Sequence, residues 1–518
     1  MAKTRPYLFY DVTLSICSTC YRKVEGKTVF QDGNVYLLKR CPDHGQEKVL
    51  IADDIDYYRR CREIFIKPPE MPLVYNTPVH WGCPYDCGLC TDHEQHSCLT
   101  LVEICDYCNL RCPVCYAESG PERQQFRTLD QIEKMLDAVV RNEGHPDVVQ
   151  LSGGEPTVHP DFFEIVEMAK ARPIRHLMVN TNGVRIAQEK DFVKRLSEVK
   201  EDFEVYLQFD SFEREPLMQL RGADLRRIRE QAIENLNRYN ISTNLVVTLK
   251  KGLNDHEIGK TIDYALLQPC VRGVTFQPIQ DAGRLEAWVS NDSEGAPSWS
   301  RSVRKGGDFD LPDVENVSNI GKYVRNFNPA TDRLTLTEVR RKILEQTNVF
   351  KPEDVIPVPC HPDSLAMAYA LKLNGKVTPL TSMIPPEVLI NGAKNTILYE
   401  QEPAVRDGLF KLFATNHSPQ SQAGTLRELL CCLPKVFVPE TITYENIFRI
   451  IIMQFIDAHS FDVRSVKKTC VHIVHPDGRL IPFDTYNLFY RDDLEKSRLA
   501  PLRKNAEAAQ APLAELKL

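Results

Sequence analysis

Residues 103–120 read EICDYCNLRCPVCYAESG, and in them Cys108, Cys112 and Cys115 stand at C-x3-C-x2-C spacing, directly after the apolar run 99–104. No other stretch limits so narrowly what the chain can fold into. Three thiolates on one tight loop can hold three irons of a [4Fe–4S] cluster and leave the fourth iron open, whereas a cluster that only carries electrons is held by four cysteines. A second apolar run, 148–151, ends in Ser152-Gly153-Gly154-Glu155-Pro156. Glycines there let backbone approach a ligand closely, and an acid beside them can hold an ammonium group.

The same rhythm continues downstream. Short β-branched runs at 176–180, 205–209, 244–248 and 273–277 alternate with amphipathic stretches, the first of which opens on a Thr128 to Gln131 capping box. Six strand–helix units predict an α/β fold with a parallel sheet and right-handed crossovers. Chemistry in such folds gathers at the C-terminal ends of the strands. The sequence places Asn180, Asn182, Gln208, Asp210 and Thr248 there, and each serves equally well as a cap or turn residue.

At 518 residues the chain is too long for one core. It holds 17 cysteines, twelve of them before residue 116 and in short spacings that suit metals better than disulfides. Residues 1–75 carry Cys17 and Cys20, a hairpin at 27–39, then Cys41 and His44. Two knuckles on a hairpin predict a tetrahedral mononuclear Fe or Zn site, with His44 as fourth ligand and Cys61 as the alternative. Residues 76–100 repeat the central spacing at Cys83, Cys87 and Cys90. This copy follows Pro78 and Gly82 rather than a strand, so it reads as a closed loop cluster with Cys98, or else Cys105, as fourth ligand; a structural zinc is the alternative. The barrel-like alternation fills 101–284. Residues 285–333 lack periodicity and read as a flexible insertion. Residues 334–496 read as a C-terminal α+β domain in which Cys360, Cys432 and Cys470 close around another cluster, adjacent Cys431 being unable to ligate beside Cys432. The tail 497–518 is expected to fray.

Net charge −7 argues against nucleic acid as the main partner. The longest apolar run, 447–456, is too short to span a bilayer and reads as a core helix or a lipid-facing stretch. The N-terminus lacks a signal-peptide core, so the expected location is cytoplasmic, with peripheral membrane contact allowed.

The cysteine motif and the glycine turn, in this order, resemble the radical S-adenosylmethionine (SAM) superfamily. A knuckle ending CPDHG, then GCPYDCGLC-x7-C, CNLRCPVCYAES, LSGGEPTVHPD and CVHIVHPDGRLIPF resemble one branch of it. That branch is the archaeal tetraether lipid synthases, a group also described as 7,8-dihydro-6-hydroxymethylpterin methylases. The resemblance implies a partial (β/α)6 barrel with SAM bound at the open iron. Gly153, Gly154, Glu155 and Pro156 would hold its amino acid part, and Asn180, Asn182, Gln208, Asp210 and Thr248 would line its ribose, its adenine and the substrate. It further implies three [4Fe–4S] clusters, one mononuclear metal and a low-potential electron donor such as flavodoxin or ferredoxin. Reductive cleavage of SAM would then yield a 5′-deoxyadenosyl radical able to take hydrogen from unactivated carbon. The expected reaction is C–C coupling of lipid alkyl chains. Methylation of a pterin precursor is the alternative, and a non-enzymatic electron-transfer protein is a third, which the glycine turn argues against.

Overall fold

The computed structural model describes residues 5–290, 321–373, 375–383, 390 and 446–514. Four strands, β1 (Leu8–Ile16), β2 (Lys23–Gln31), β3 (Asn34–Cys41) and β4 (Gly45–Ala52), form an antiparallel sheet in chain order. Asp32 and Gly33 both adopt positive φ, the conformation a two-residue hairpin turn between β2 and β3 demands. The β1–β2 connection carries Cys17 and Cys20, and the β3–β4 turn carries Cys41 and His44, so antiparallel pairing brings both knuckles to one end. Helix α1 (Ile55–Glu63), capped by Asp54, follows and buries Cys61.

The barrel begins at β5 (Leu99–Cys105), followed by the short β6 (Val114–Cys115) in the cysteine loop. The expected capping box opens α2 (Leu129–Glu143), which leads to β7 (Val148–Gly153). Then come α3 (Phe162–Lys170), β8 (His176–Thr181), α4 (Val184–Gln188), α5 (Lys190–Glu198) and β9 (Phe203–Gln208). Helices α6 (Arg214–Arg221) and α7 (Arg226–Tyr239), β10 (Thr243–Leu249), α8 (Ile258–Leu267) and β11 (Val271–Pro278) complete the alternation. All six expected strands are present, adjacent and parallel.

Three expectations are corrected here. The stretch 447–456 is not a core helix: Ile447–Met453 is a fully buried strand that pairs parallel with β11. An apolar run buried on both faces is what a parallel sheet requires. Residues 334–496 likewise do not fold apart from the barrel. After β12 (Arg284–Ser290), β13 (Gly321–Arg325) and α9 (Leu336–Gln346) come β14 (Ile356–Pro357), β15 (Leu365–Leu373), β16 (Lys376–Pro379), β17 (Ile447–Met453), β18 (Val471–Val474) and β19 (Leu480–Pro482). The sheet runs β14-β15-β17-β11-β10-β9-β8-β7-β5-β18-β19, with β16 on β15. Strands β17 and β18 thus extend the six-stranded core in parallel fashion at both edges. Finally, the tail is helical over Ala500–Ala514, where Arg503 donates to the Tyr85 carbonyl and Glu507 accepts from the Trp81 indole.

Residues 285–290 are also ordered, because β12 pairs with both β13 and β6 and so braces the cysteine loop. Residues 291–320, Cys431 and Cys432 lie outside the described residues. No described helix is long and apolar enough to cross a membrane.

Buried Arg449 of β17 pairs with buried Glu204 of β9. Arg449→Met removes the cation from that buried carboxylate and is expected to destabilise the protein by about 3–5 kcal/mol. Thermal melting of Arg449→Met beside Arg449→Met/Glu204→Gln checks this, the double variant recovering part of the loss.

Candidate active site

Cys108, Cys112 and Cys115 line a cleft at the C-terminal ends of the barrel strands. Arg284 of β12 holds their loop, donating to the Cys112 and Ser119 carbonyls at 3.0 and 2.6 Å. The end of β7 is stitched to the same loop: Gly154 N–H donates to the Cys105 carbonyl at 2.8 Å and Glu155 N–H to the Tyr107 carbonyl at 2.9 Å. A Cβ at Gly153 or Gly154 would collide with those carbonyl oxygens, and Gly153 has φ +122°. The glycines therefore serve the close approach of strand and cysteine loop, as well as facing the cleft.

Glu155 and Pro156, expected beside the ligand's ammonium group, are not among the residues that line the cleft. The buried Glu155 carboxylate accepts from Thr157 N and Oγ1, Thr181 Oγ1 and Asn182 N instead. It clamps β7 to β8. Burial raises its pKa while these donors pull the other way.

Asn180, Asn182, Gln208 and Thr248 do line the cleft, and Asn182 Nδ2 stands 3.9 Å from Cys108 Sγ. Asp210 does not. Its carboxylate is buried in a two-point pair with Arg221, at 2.7 Å for both bonds, and accepts from Thr248 N. Burial opposes that charge, but Arg221 and Arg229 hold its pKa below the usual value. The consequence is Arg221, a buried cation on the cleft wall beside Cys112 that sequence reading missed. Its only sequence signal is an arginine just before Gly222, which ends α6 in the left-handed conformation.

Two kinds of surface line the remainder. Leu99, Leu101, Val246, Met453, Phe455 and Phe483 form an apolar wall. Set into the lining are carboxamides whose Gln150 Nε2, Asn180 Oδ1, Gln208 Oε1 and Gln280 Oε1 atoms are buried without a protein partner. Such atoms are costly unless a bound molecule or water satisfies them. The cleft encloses about 1360 Å³ of empty space, counting the solvent open to it.

The thiols of Cys108, Cys112 and Cys115 suit a cluster rather than one ion. Bonds of about 2.3 Å around a tetrahedral ion bring its ligand atoms within roughly 4 Å of one another. Among the described residues, two sets have all ligand atoms within 4.8 Å, and these three cysteines are not one of them. The first such set is Cys17, Cys20, Cys41 and His44, with Cys20 Sγ 3.8 Å from Cys41 Sγ and His44 Nδ1 3.4 and 3.6 Å from Cys41 and Cys17. Against burial, His44 and backbone N–H groups hold the Cys41 thiol down at about 6. Cys61 is elsewhere, as an ordinary core thiol in α1.

The second tight set overturns a ligand expectation. Cys98 converges with Cys360 and Cys470, not with Cys83, Cys87 and Cys90. Strand pairing explains it: Leu99 stands opposite Val471 where β5 meets β18, so the residues preceding them, Cys98 and Cys470, are brought together. Cys360 Sγ lies 3.3 Å from Cys470 Sγ. His96, not foreseen, places Nε2 3.6 Å from Cys98 Sγ while Glu143 engages its Nδ1 at 2.9 Å. Cys105 joins no set; its Sγ faces the Tyr107 and Glu155 carbonyls. The loop with Cys83, Cys87 and Cys90 is covered by the C-terminal segment, where Thr485 Oγ1 donates to Cys87 Sγ at 2.9 Å and Tyr490 accepts from Cys87 N. Thr485 follows Asp484 of the cleft wall, so this loop stands directly behind the cleft.

Residues 102–265 match the model of the radical SAM superfamily, and residues 9–53 match that of the HMPTM N-terminal zinc ribbon domain. The chain is 29% identical over 513 residues to 7,8-dihydro-6-hydroxymethylpterin dimethyltransferase of Methanocaldococcus jannaschii, covering 95% of this chain and 96% of that protein. It is 26% identical over 341 residues to GTP 3′,8-cyclase of Chlorobaculum tepidum, covering 62% of this chain and 93% of the cyclase. Among solved structures, Streptococcus suis SuiB bound to S-adenosylmethionine aligns with a TM-score of 0.31 and 18% identity over 36% of this chain and 41% of that one. None of these relatives supports the expected coupling of lipid chains. The match covers barrel and cysteine loop over residues 102–265 and, joined to the near full-length likeness to a pterin dimethyltransferase, indicates an enzyme with a radical SAM domain, whose chemistry uses a [4Fe–4S] cluster and SAM.

Proposed function

We propose that the enzyme forms a C–C bond on a pterin-like heterocycle, in a methylation of the 7,8-dihydro-6-hydroxymethylpterin type. The observation that carries this reading is the set of unpartnered amide atoms of Gln150, Asn180, Gln208 and Gln280 in the cleft lining. A flat, nitrogen-rich ring satisfies them, whereas an alkyl chain leaves them bare. The near full-length likeness to a pterin dimethyltransferase supports the same reading.

When bound, the cluster and SAM supply a carbon radical that can take hydrogen from an unactivated C–H bond. The chain's own residues position and enclose. Cys108, Cys112 and Cys115 would hold the cluster, and the Gly153–Gly154 backbone would receive the ammonium of SAM. Arg221, fixed by Asp210, would take its carboxylate. Cys17, Cys20, Cys41 and His44 would hold one Fe or Zn. Cys83, Cys87 and Cys90 would hold an auxiliary cluster, and Cys98, Cys360 and Cys470 a further centre. The electron donor would be a flavodoxin or ferredoxin.

A second reading, lipid chain coupling with peripheral membrane contact, is favoured only by the apolar wall of Leu99, Leu101, Val246, Met453, Phe455 and Phe483. Anaerobic assays with SAM, reductant and either 7,8-dihydro-6-hydroxymethylpterin or a diether lipid decide between them. Methylated pterin by mass spectrometry is the expected product; coupled lipid with untouched pterin would reverse the order of the two readings.

A further inference from the structure

Among the described residues, and apart from its cysteines and tyrosines, the cleft is lined by two ionisable side chains, Arg221 and Asp484. Arg221 is matched by Asp210. Asp484 has no such match. It sits just beyond β19, 2% exposed, and accepts from the Ile456 backbone N–H and from Thr469 Oγ1 at 3.0 Å. No ion pair to it occurs among the described residues, and the charge that bears on it is that of another buried acid, Asp457. Burial pushes its carboxyl up to about 6, with Asp457 adding to the rise.

A carboxyl held in a largely apolar wall without a cation is costly to the fold. With its own backbone N–H, the Ile456 N–H and Thr469 Oγ1 make three donors on roughly four acceptor positions, which leaves acceptor capacity on the carboxylate. Its neighbours Phe455 and Phe483 stack with ring centres 3.9 Å apart, and Asn487 also lines this wall. Asp484 and Asn487 are thus polar groups set beside stacked rings on the wall built by the C-terminal segment, whereas Arg221 belongs to α6 beside the cysteine loop.

We propose that Asp484 is the substrate anchor, taking two neighbouring N–H donors such as the ring N–H and exocyclic amine of a 2-aminopyrimidin-4-one. The proposal rests on the heterocycle reading above and deepens it. An alkyl chain has nothing to offer this group, while pterins and guanines present that donor pair at one edge. Gln150 and Gln208 then meet the polar atoms of the rest of the ring system.

The test uses full-length, cluster-loaded protein with SAM under anaerobic conditions, and reads equilibrium binding of two probes. One is 7,8-dihydro-6-hydroxymethylpterin, the other its analogue lacking the 2-amino group. Wild-type protein is expected to prefer the aminated probe by about 10–100-fold. Asp484→Asn, matched to wild type in iron content and thermal melting, is expected to lose about that factor for the aminated probe and to bind both probes alike. If wild type shows no preference for the amino group, or Asp484→Asn keeps it, the anchor is overturned while pterin binding itself still stands. If wild type binds neither probe, the heterocycle reading fails and the anchor with it. The wild-type comparison needs no variant, so a misfolded Asp484→Asn does not shield the proposal.

Discussion

Replacing Cys108, Cys112 and Cys115 together by Ala is expected to remove about four irons per chain and to abolish 5′-deoxyadenosine formation. The reason is positional. These three cysteines line the cleft, next to Arg221 and the Gly153–Gly154 backbone, whereas Cys83, Cys87 and Cys90 have the same spacing but sit in a loop behind the cleft wall. Iron content and deoxyadenosine, measured with SAM and dithionite in the absence of substrate, check the assignment. Persistent cleavage in the triple variant would transfer the cofactor role to the other set. The parallel Cys83, Cys87 and Cys90 triple variant is expected to lose a similar amount of iron while keeping its cofactor loop intact.

The second large effect belongs to Gly154→Ala. Its Cβ would overlap the Tyr107 carbonyl, with the Asp106 carbonyl close behind, and both atoms are backbone that cannot swing away as a side chain would. Relief requires the cysteine loop to move off the end of β7, breaking the Gly154 and Glu155 N–H bonds to it. Displacing reacting groups by about 1 Å costs on the order of 100-fold in rate. Loss of SAM cleavage by at least that factor is expected, with iron content near wild type, since the three cysteines remain on one loop. Wild-type cleavage by Gly154→Ala would mean the loop tolerates the shift and that this close approach is not what the glycines are for.

What was legible in the sequence was local. The six strands, the Thr128 capping box, the Asp32–Gly33 hairpin turn and the cysteine loop are each written within a few consecutive residues. Hydrophobic period, capping and turn chemistry act at that range. The zinc-ribbon set was legible for the same reason: an antiparallel hairpin necessarily returns Cys41 and His44 to the end that carries Cys17 and Cys20. Glu155 shows the limit of this approach. The glycine turn is local, but the acid's carboxylate accepts from Thr157 and also from Thr181 and Asn182, two partners that only the packing of β8 beside β7 supplies.

The sequence by itself therefore determined the parallel α/β core, the cysteine loop that takes a cluster, the glycine turn beside it and the ribbon that suits a metal. Only the tertiary structure decided which distant segments complete them. Strand β17 joined β11, the tail helix covered the loop at 81–85, Arg221 met Asp210, and Cys98 was drawn to Cys360 and Cys470. Pairing of Leu99 with Val471 spans most of the chain, and no local preference encodes it. It is selected because β18 buries its apolar face there and satisfies the open edge of β5, an energy that exists only once the sheet has formed.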